Sequence, residues 1–280
     1  MNKIRVATIL ILFLSLVSIS CGSTDDNGDI TTEFGAVFVS SNTTPVVGIY
    51  DFSSSTVGSV QFGLSSTDSD GIIYSSGSDR LYIASRTNNR VEVYTDLTKT
   101  EASLNIELAF SSSQDFSNAR KLAASGSKVV VSQDASDANN QTNAFYVYEI
   151  GDNSATLANT YTADINLWDI QFSGNSLYAI QDNSDTLAVY NNFLSNANGA
   201  VSPDSKVQIE GIVRTHALYY SASTDIMFLS DIGDAGSSTD GAIHVITDFS
   251  SKFNAAGNNG SISTSDQIII EGSNTQLGNP

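Results

Sequence analysis

Three observations predict an all-β fold of repeated four-stranded antiparallel units, a β-propeller. Five segments share a strand, an Asn/Asp-rich turn and a second strand; their spacing is nearly constant; and beyond the N-terminus no stretch sustains helical apolar spacing for more than a couple of turns. The segments are Ala36 to Phe52, Arg80 to Leu97, Lys128 to Ile150, Ser176 to Phe193 and Asp225 to Phe249. Aligned on Phe38, Tyr82, Val130, Tyr178 and Phe228, they recur at intervals of 44, 48, 48 and 50 residues, the period of a propeller blade. A β-sandwich is the alternative, but a sandwich needs no constant period.

Each segment after the first follows another short strand: Gly71 to Tyr74, Lys121 to Ala124, Trp168 to Phe172 and Ala217 to Tyr220. A further strand tends to come after, as at Leu104 to Leu108 and Gln267 to Ile270. That makes four strands per unit, joined by Gly, Asn, Ser and Asp, which accept tight turn geometry. The first unit has only three, at Ala36 to Ser40, Val46 to Phe52 and Val57 to Leu64. Its missing innermost strand and the turn-like Leu277 to Pro280 predict a propeller that continues past Pro280. The alternative closure has Thr32 to Phe34 curling back as that strand.

The second unit carries the most specific motif. Gly71 to Asp96, with Tyr82-Ile83-Ala84 followed by Asn88-Asn89-Arg90-Val91, resembles an NHL-type or YVTN-like propeller repeat. The fourth unit keeps the frame but has Asp182-Asn183-Ser184-Asp185 at the turn, and the third and fifth insert residues there. The resemblance implies the fold and no activity, because propellers host binding, scaffolding, hydrolysis and redox chemistry alike.

The N-terminus reads differently. Lys3 and Arg5 precede an apolar run from Val6 to Val17, then Ser18-Ile19-Ser20-Cys21, the layout of a secretory signal peptide over residues 1–20. Cys21, the one cysteine in the chain, resembles the lipid-bearing cysteine of a bacterial lipoprotein, although Ser18 stands where such signals usually carry Leu. Ser23-Thr24-Asp25-Asp26 resembles an acidic export tag, which implies an outer-membrane or cell-surface location, anchored through the lipid on Cys21. Residues 21–34 read as a flexible acidic tether and residues 35–280 as the propeller domain.

Composition narrows the partners. Removing Lys3 and Arg5 with the signal moves the net charge from −18 to −20, and such a body repels nucleic acid and anionic headgroups. With Cys21 acylated, thiol chemistry and cysteine-based metal sites are excluded. The chain has no Gly-x-Ser-x-Gly elbow, phosphate-cradling loop or His-Glu-x-x-His pair.

Candidate chemistry lies on one face. In a four-stranded meander the loops between second and third strands share a face with those that lead into the innermost strands. The former carry Asp134 and Asp137, Asp182 and Asp185, and Asp231 and Asp234. This Asp-x-x-Asp spacing suits turn formation, with Ca²⁺ ligation as the rival use. Asp70, Arg120, Asp169 and His216 are expected to ring the central channel, where lactonase-like propellers hold a metal and an acid/base group. His244, on the apolar AIHVI stretch, reads as a packed strand residue. The leading expectation is a non-enzymatic propeller that binds or scaffolds a protein, peptide or glycan; the alternative is a metal-dependent hydrolase of the lactonase-like class.

Overall fold

The computed structural model describes residues 35–52, 57–97, 106–275 and 277. Residues 1–34, with the expected signal, Cys21 and the tether, lie outside the described residues, as do 98–105 and 278–280. Five small sheets form a five-bladed β-propeller. Blade one is β1 (Ala36–Ser40), β2 (Val46–Asp51) and β3 (Gly58–Gly63), and blade two is β4 (Gly71–Ser75), β5 (Arg80–Ser85), β6 (Arg90–Thr95) and β7 (Leu108–Ser111). Blade three is β8 (Ala119–Ser125), β9 (Lys128–Gln133), β10 (Ala144–Ile150) and β11 (Ala155–Ala163). Blade four is β12 (Leu167–Ser173), β13 (Ser176–Gln181), β14 (Thr186–Tyr190) and β16 (Ser205–Ile209), with a short β15 (Gly199–Val201) between its third and fourth strands. Blade five is β17 (Thr215–Ser221), β18 (Ile226–Asp231), β19 (Ala242–Thr247) and β21 (Ile268–Glu271). Between β19 and β21 it inserts helix α1 (Phe249–Ala256) and a short β20 (Gly260–Ile262).

The strands anticipated from the repeat are present, with shifted limits. The innermost strands of blades three to five begin two, one and two residues earlier than the apolar pattern suggested, and β7 begins where the expected strand was to end. The insertions hold what the repeat could not announce. β15 joins β11 in parallel, and β20 joins β16 in parallel, so blades three and four each gain a fifth strand from the blade that follows. Among the described residues no helix is long and apolar enough to cross a membrane.

Both faces of a blade are buried, which explains why its strands alternate little in polarity. Apolar clusters join successive blades: Val47, Ile49 and Phe62 meet Leu81 and Ile83, and Tyr82, Val91 and Val93 meet Leu122, Val129 and Val131. Val130, Phe145 and Tyr161 meet Leu177 and Tyr190, while Ile180, Leu187 and Val207 meet Met227, Leu229 and Phe249. Phe193, fully buried, is a hub: Phe145, Tyr161 and Tyr190 approach it edge-on at 5.0, 5.1 and 5.8 Å. Edge-to-face pairs add to the burial term because ring edges and faces carry opposite partial charge.

The repeat motif of blade two is structural. Glu92 is fully buried, and its carboxylate accepts from Asn88 Nδ2 at 2.8 Å, Ser65 Oγ at 2.6 Å and Tyr94 Oη at 3.2 Å, with Arg90 Nε at 3.1 Å. Asn88 also donates to the Ser65 carbonyl, so the turn ties blade two to the segment leaving blade one. A buried carboxylate is tolerated because every oxygen is answered.

Candidate functional site

Bulges build the channel mouth. Register equates Ile73, Ala123, Gln171 and Tyr219, each paired with the aligned residue of the second strand. Three positions earlier stand Asp70, Arg120, Trp168 and His216. In β8, β12 and β17 the pairing slips just there, between Ala119 and Leu122, Leu167 and Ile170, and Thr215 and Ala217, whereas β4 pairs without a slip. A bulge re-aims the side chain that it carries, and these three turn Arg120, Trp168 and His216 toward one another. The Arg120 guanidinium lies 4.0 Å over the Trp168 ring, and His216 stacks on Trp168 at 4.0 Å with 20° between the planes. The stack spans blades three, four and five.

Trp168, rather than the expected Asp169, therefore occupies the fourth ring position. Asp169 is turned toward β17, where its carboxylate accepts from the backbone amides of Leu218 at 2.9 Å and Ile170 at 2.8 Å. Gln171 repeats this two residues on, exchanging hydrogen bonds with Tyr220 N and O at 2.7 and 3.0 Å. Burial raises the Asp169 carboxyl to about 6, against the opposing pull of Lys121 and the two amides. His216 is lowered to about 4, first by burial and then by Arg214, so it is neutral at pH 7.

Two sets that the sequence kept apart meet here. Asp134, from the β9–β10 loop, is 2.9 Å from Arg120, and Asp70 lies 3.3 Å from Lys121, 3.9 Å from Arg120 and 4.0 Å from Arg86. Arg86 also pairs with Asp68 at 3.4 Å and donates to Asn118 Oδ1 at 2.8 Å. Asp182 is pushed up by burial and by Asp134, while Arg120 and Arg214 pull it down. Arg120 Nε, Arg214 Nη2 and Asp182 Oδ1 are buried without a hydrogen-bond partner.

The second aspartate of each pair stays in its own loop. Asp137 accepts from Gln141, Asp185 faces Ser184 and Thr186, and the Asp234 amide donates to Asp240. Asp231, although a first aspartate, is buried and consumed as a loop brace, accepting from the amides of Val213, Arg214 and Gly233. Among the described residues no three His, Cys, Asp or Glu side chains gather into a site that could hold a metal ion. His244 is buried on β19, as expected, with Nδ1 2.7 Å from Gln267 Oε1.

Arg86, Lys121, Trp168 and Arg214 escaped the sequence reading. A stricter count would have found Trp168, which lies 48 residues after Arg120 and 48 before His216. The other three belong to no repeat position with a charge pattern. A polar groove of about 300 Å³ on blade four, lined by Gln181, Thr186, Lys206, Gln208 and Asn259 among others, is a further concavity.

No family model matches the chain, and no curated protein does. Solved structures share the fold at low identity. A glutaminyl cyclase from Myxococcus xanthus has a TM-score of 0.44 and 11% identity over 65% of this chain and 76% of its own. KlHsv2 with loop 6CD replaced by a Gly-Ser linker has 0.45 and 12% over 80% of this chain and 60% of its own. Hydrazine synthase from Kuenenia stuttgartiensis has 0.49 and 12% over 74% of this chain and 51% of its own. Likeness at this level says nothing about activity.

Proposed function

We propose that the chain is an outer-membrane or cell-surface lipoprotein, anchored through Cys21, whose propeller binds a protein, peptide or glycan at the channel mouth. One observation carries the reading: the groups a hydrolase would need are committed elsewhere. Both Asp169 oxygens accept backbone amides, Asp70 sits among three cations, and His216 is stacked on Trp168. What remains facing the channel is a set of guanidinium, ring and carboxyl groups held in place by one another, which suits recognition by pre-organised polar contacts.

The test is a thermal-shift scan of the protein against peptides and oligosaccharides, repeated with Arg120→Ala and Trp168→Ala. A ligand whose shift disappears in both variants and survives in Asp185→Ala supports the reading. Chelator-sensitive lactone hydrolysis abolished by Asp169→Asn would replace it with the hydrolase, whose one support is that Asp169 and His216 are both displaced from their ordinary pKa values. Detergent partitioning of Cys21→Ser tests the anchor separately: the variant is expected in the aqueous phase.

A further inference from the structure

We infer that the outer edge of β21 is a receptor for an extended peptide of the form Asn-Gly-(Ala/Ser)-(Val/Ile)-Ser, added as a parallel strand and supplied by a partner protein. The molecule contains this interaction twice within itself. Asn198-Gly199-Ala200-Val201-Ser202 and Asn259-Gly260-Ser261-Ile262-Ser263 are two copies of one pattern, and their central residues are β15 and β20. Each copy lies on the fourth strand of the preceding blade in the same register: Gly199 opposite Tyr161, and Gly260 opposite Val207.

Tyr161 and Val207 are equivalent positions. Tyr161 pairs with Phe145 and through it with Ser132, and Val207 pairs with Leu187 and through it with Ile180. One residue before each, the outward amide meets an asparagine side chain: Thr160 N donates to Asn198 Oδ1 at 2.9 Å, and Lys206 N donates to Asn258 Oδ1 at 3.1 Å. The aliphatic residue of each copy is then buried, Val201 at 8% exposure and Ile262 at 2%, in the cluster leading to the next blade. Backbone pairing gives affinity, an asparagine fixes register, and one apolar side chain anchors the clip.

The same chain of pairing, Ser230 to Ile243 to Ile270, makes Ile270 the equivalent position on blade five. The amide equivalent to Thr160 and Lys206 is that of Ile269. Among the described residues β21 has a partner on one side only, β19, and the outer side carries no strand. Its composition differs from the two clipped strands. Ile268 is 59% exposed where blades three and four have Asn159 and Ser205, so three successive isoleucines form this edge. A bare apolar edge is an aggregation template, which favours a dedicated partner. β3, also without a fifth strand, is Gly-Ser-Val-Gln-Phe-Gly and offers no such row.

The probe is a fluorescent peptide with the sequence of residues 196–203, Asn-Ala-Asn-Gly-Ala-Val-Ser-Pro, titrated against the full chain by anisotropy, with amide exchange followed in parallel. The expected result is saturable binding and slowed exchange at Ile269. Replacing the second peptide asparagine by Ala, or Ile269→Pro in the protein, should weaken binding by about tenfold or more, the factor that corresponds to one lost hydrogen bond. Ile269→Pro removes an outward N–H from an edge, where proline is tolerated, and an unchanged melting temperature checks its fold. The altered peptide gives the same answer on unaltered protein. No saturable binding, binding indifferent to the peptide's asparagine, or concentration-dependent dimers that bury β21 and resist the peptide would each overturn the proposal. The channel variants leave this result untouched, so the two readings fail separately.

Discussion

The spaces between blades and the mouth of the channel use the same repeat in opposite ways. Between blades the repeat is honoured: position after position is Val, Ile, Leu, Ala, Tyr or Phe, and the clusters are closed by rings such as those around Phe193. At the mouth one repeat position holds Asp70, Arg120, Trp168 and His216, four chemistries on one scaffold. The difference shows which burial is generic and which is individual. An apolar residue satisfies any apolar neighbour, whereas a buried charge needs a specific partner at a specific distance. The mouth is therefore free to vary only in compensating sets, such as Arg120 with Asp134.

The largest effect should come from the generic side. Phe193→Ala is expected to cost about 3–5 kcal/mol in urea unfolding, the range for emptying a buried aromatic site, while leaving ligand binding at the mouth intact. Loss of binding in a folded Phe193→Ala protein would mean that the two regions are not separable.

The pH dependence is next. Asp169 titrates near 6 in the folded protein and near 3.8 unfolded, so it favours the folded state at low pH and loses that contribution as pH rises to about 6. His216 titrates near 4 folded and 6.5 unfolded; its contribution is present above pH 6.5 and lost as pH falls toward 4. Over pH 4–6 the two slopes oppose each other, and each is of order 2 kcal/mol once water in the channel is allowed for. Unaltered protein should be nearly flat in this window. Asp169→Asn should gain stability with rising pH, and His216→Asn should lose it; parallel curves for all three proteins would refute the assignment.

A smaller effect tests the stack. Arg120→Lys keeps the charge but not the planar contact with Trp168. A double-mutant cycle of Arg120→Lys with Trp168→Leu should give a coupling of about 0.5–2 kcal/mol, and zero coupling would remove the stack from the account. The smallest expected change is at Asp137, which reaches only Gln141 in its own loop: Asp137→Ala should alter neither melting nor binding at the mouth.

By itself the sequence determined the strands, their fourfold grouping and the five blades, because a period near 48 residues with Gly/Asn/Asp turns has few other solutions. It also marked Arg120, His216, Asp70 and the loop aspartates as lying on one face, through the alternation of turns along a meander. It could not place Trp168, because a β-bulge shifts the register by one residue and leaves no trace in an apolar pattern. Nor could it separate Asp134, which reaches Arg120, from Asp231, which its own loop consumes; both sit in the same spacing, and only the path of neighbouring loops decides which donors arrive. The parallel clips β15 and β20 were equally out of reach, since three residues carry no periodicity. Their partners lie 38 and 53 residues earlier in the chain, and that distance is crossed only when the blades stack.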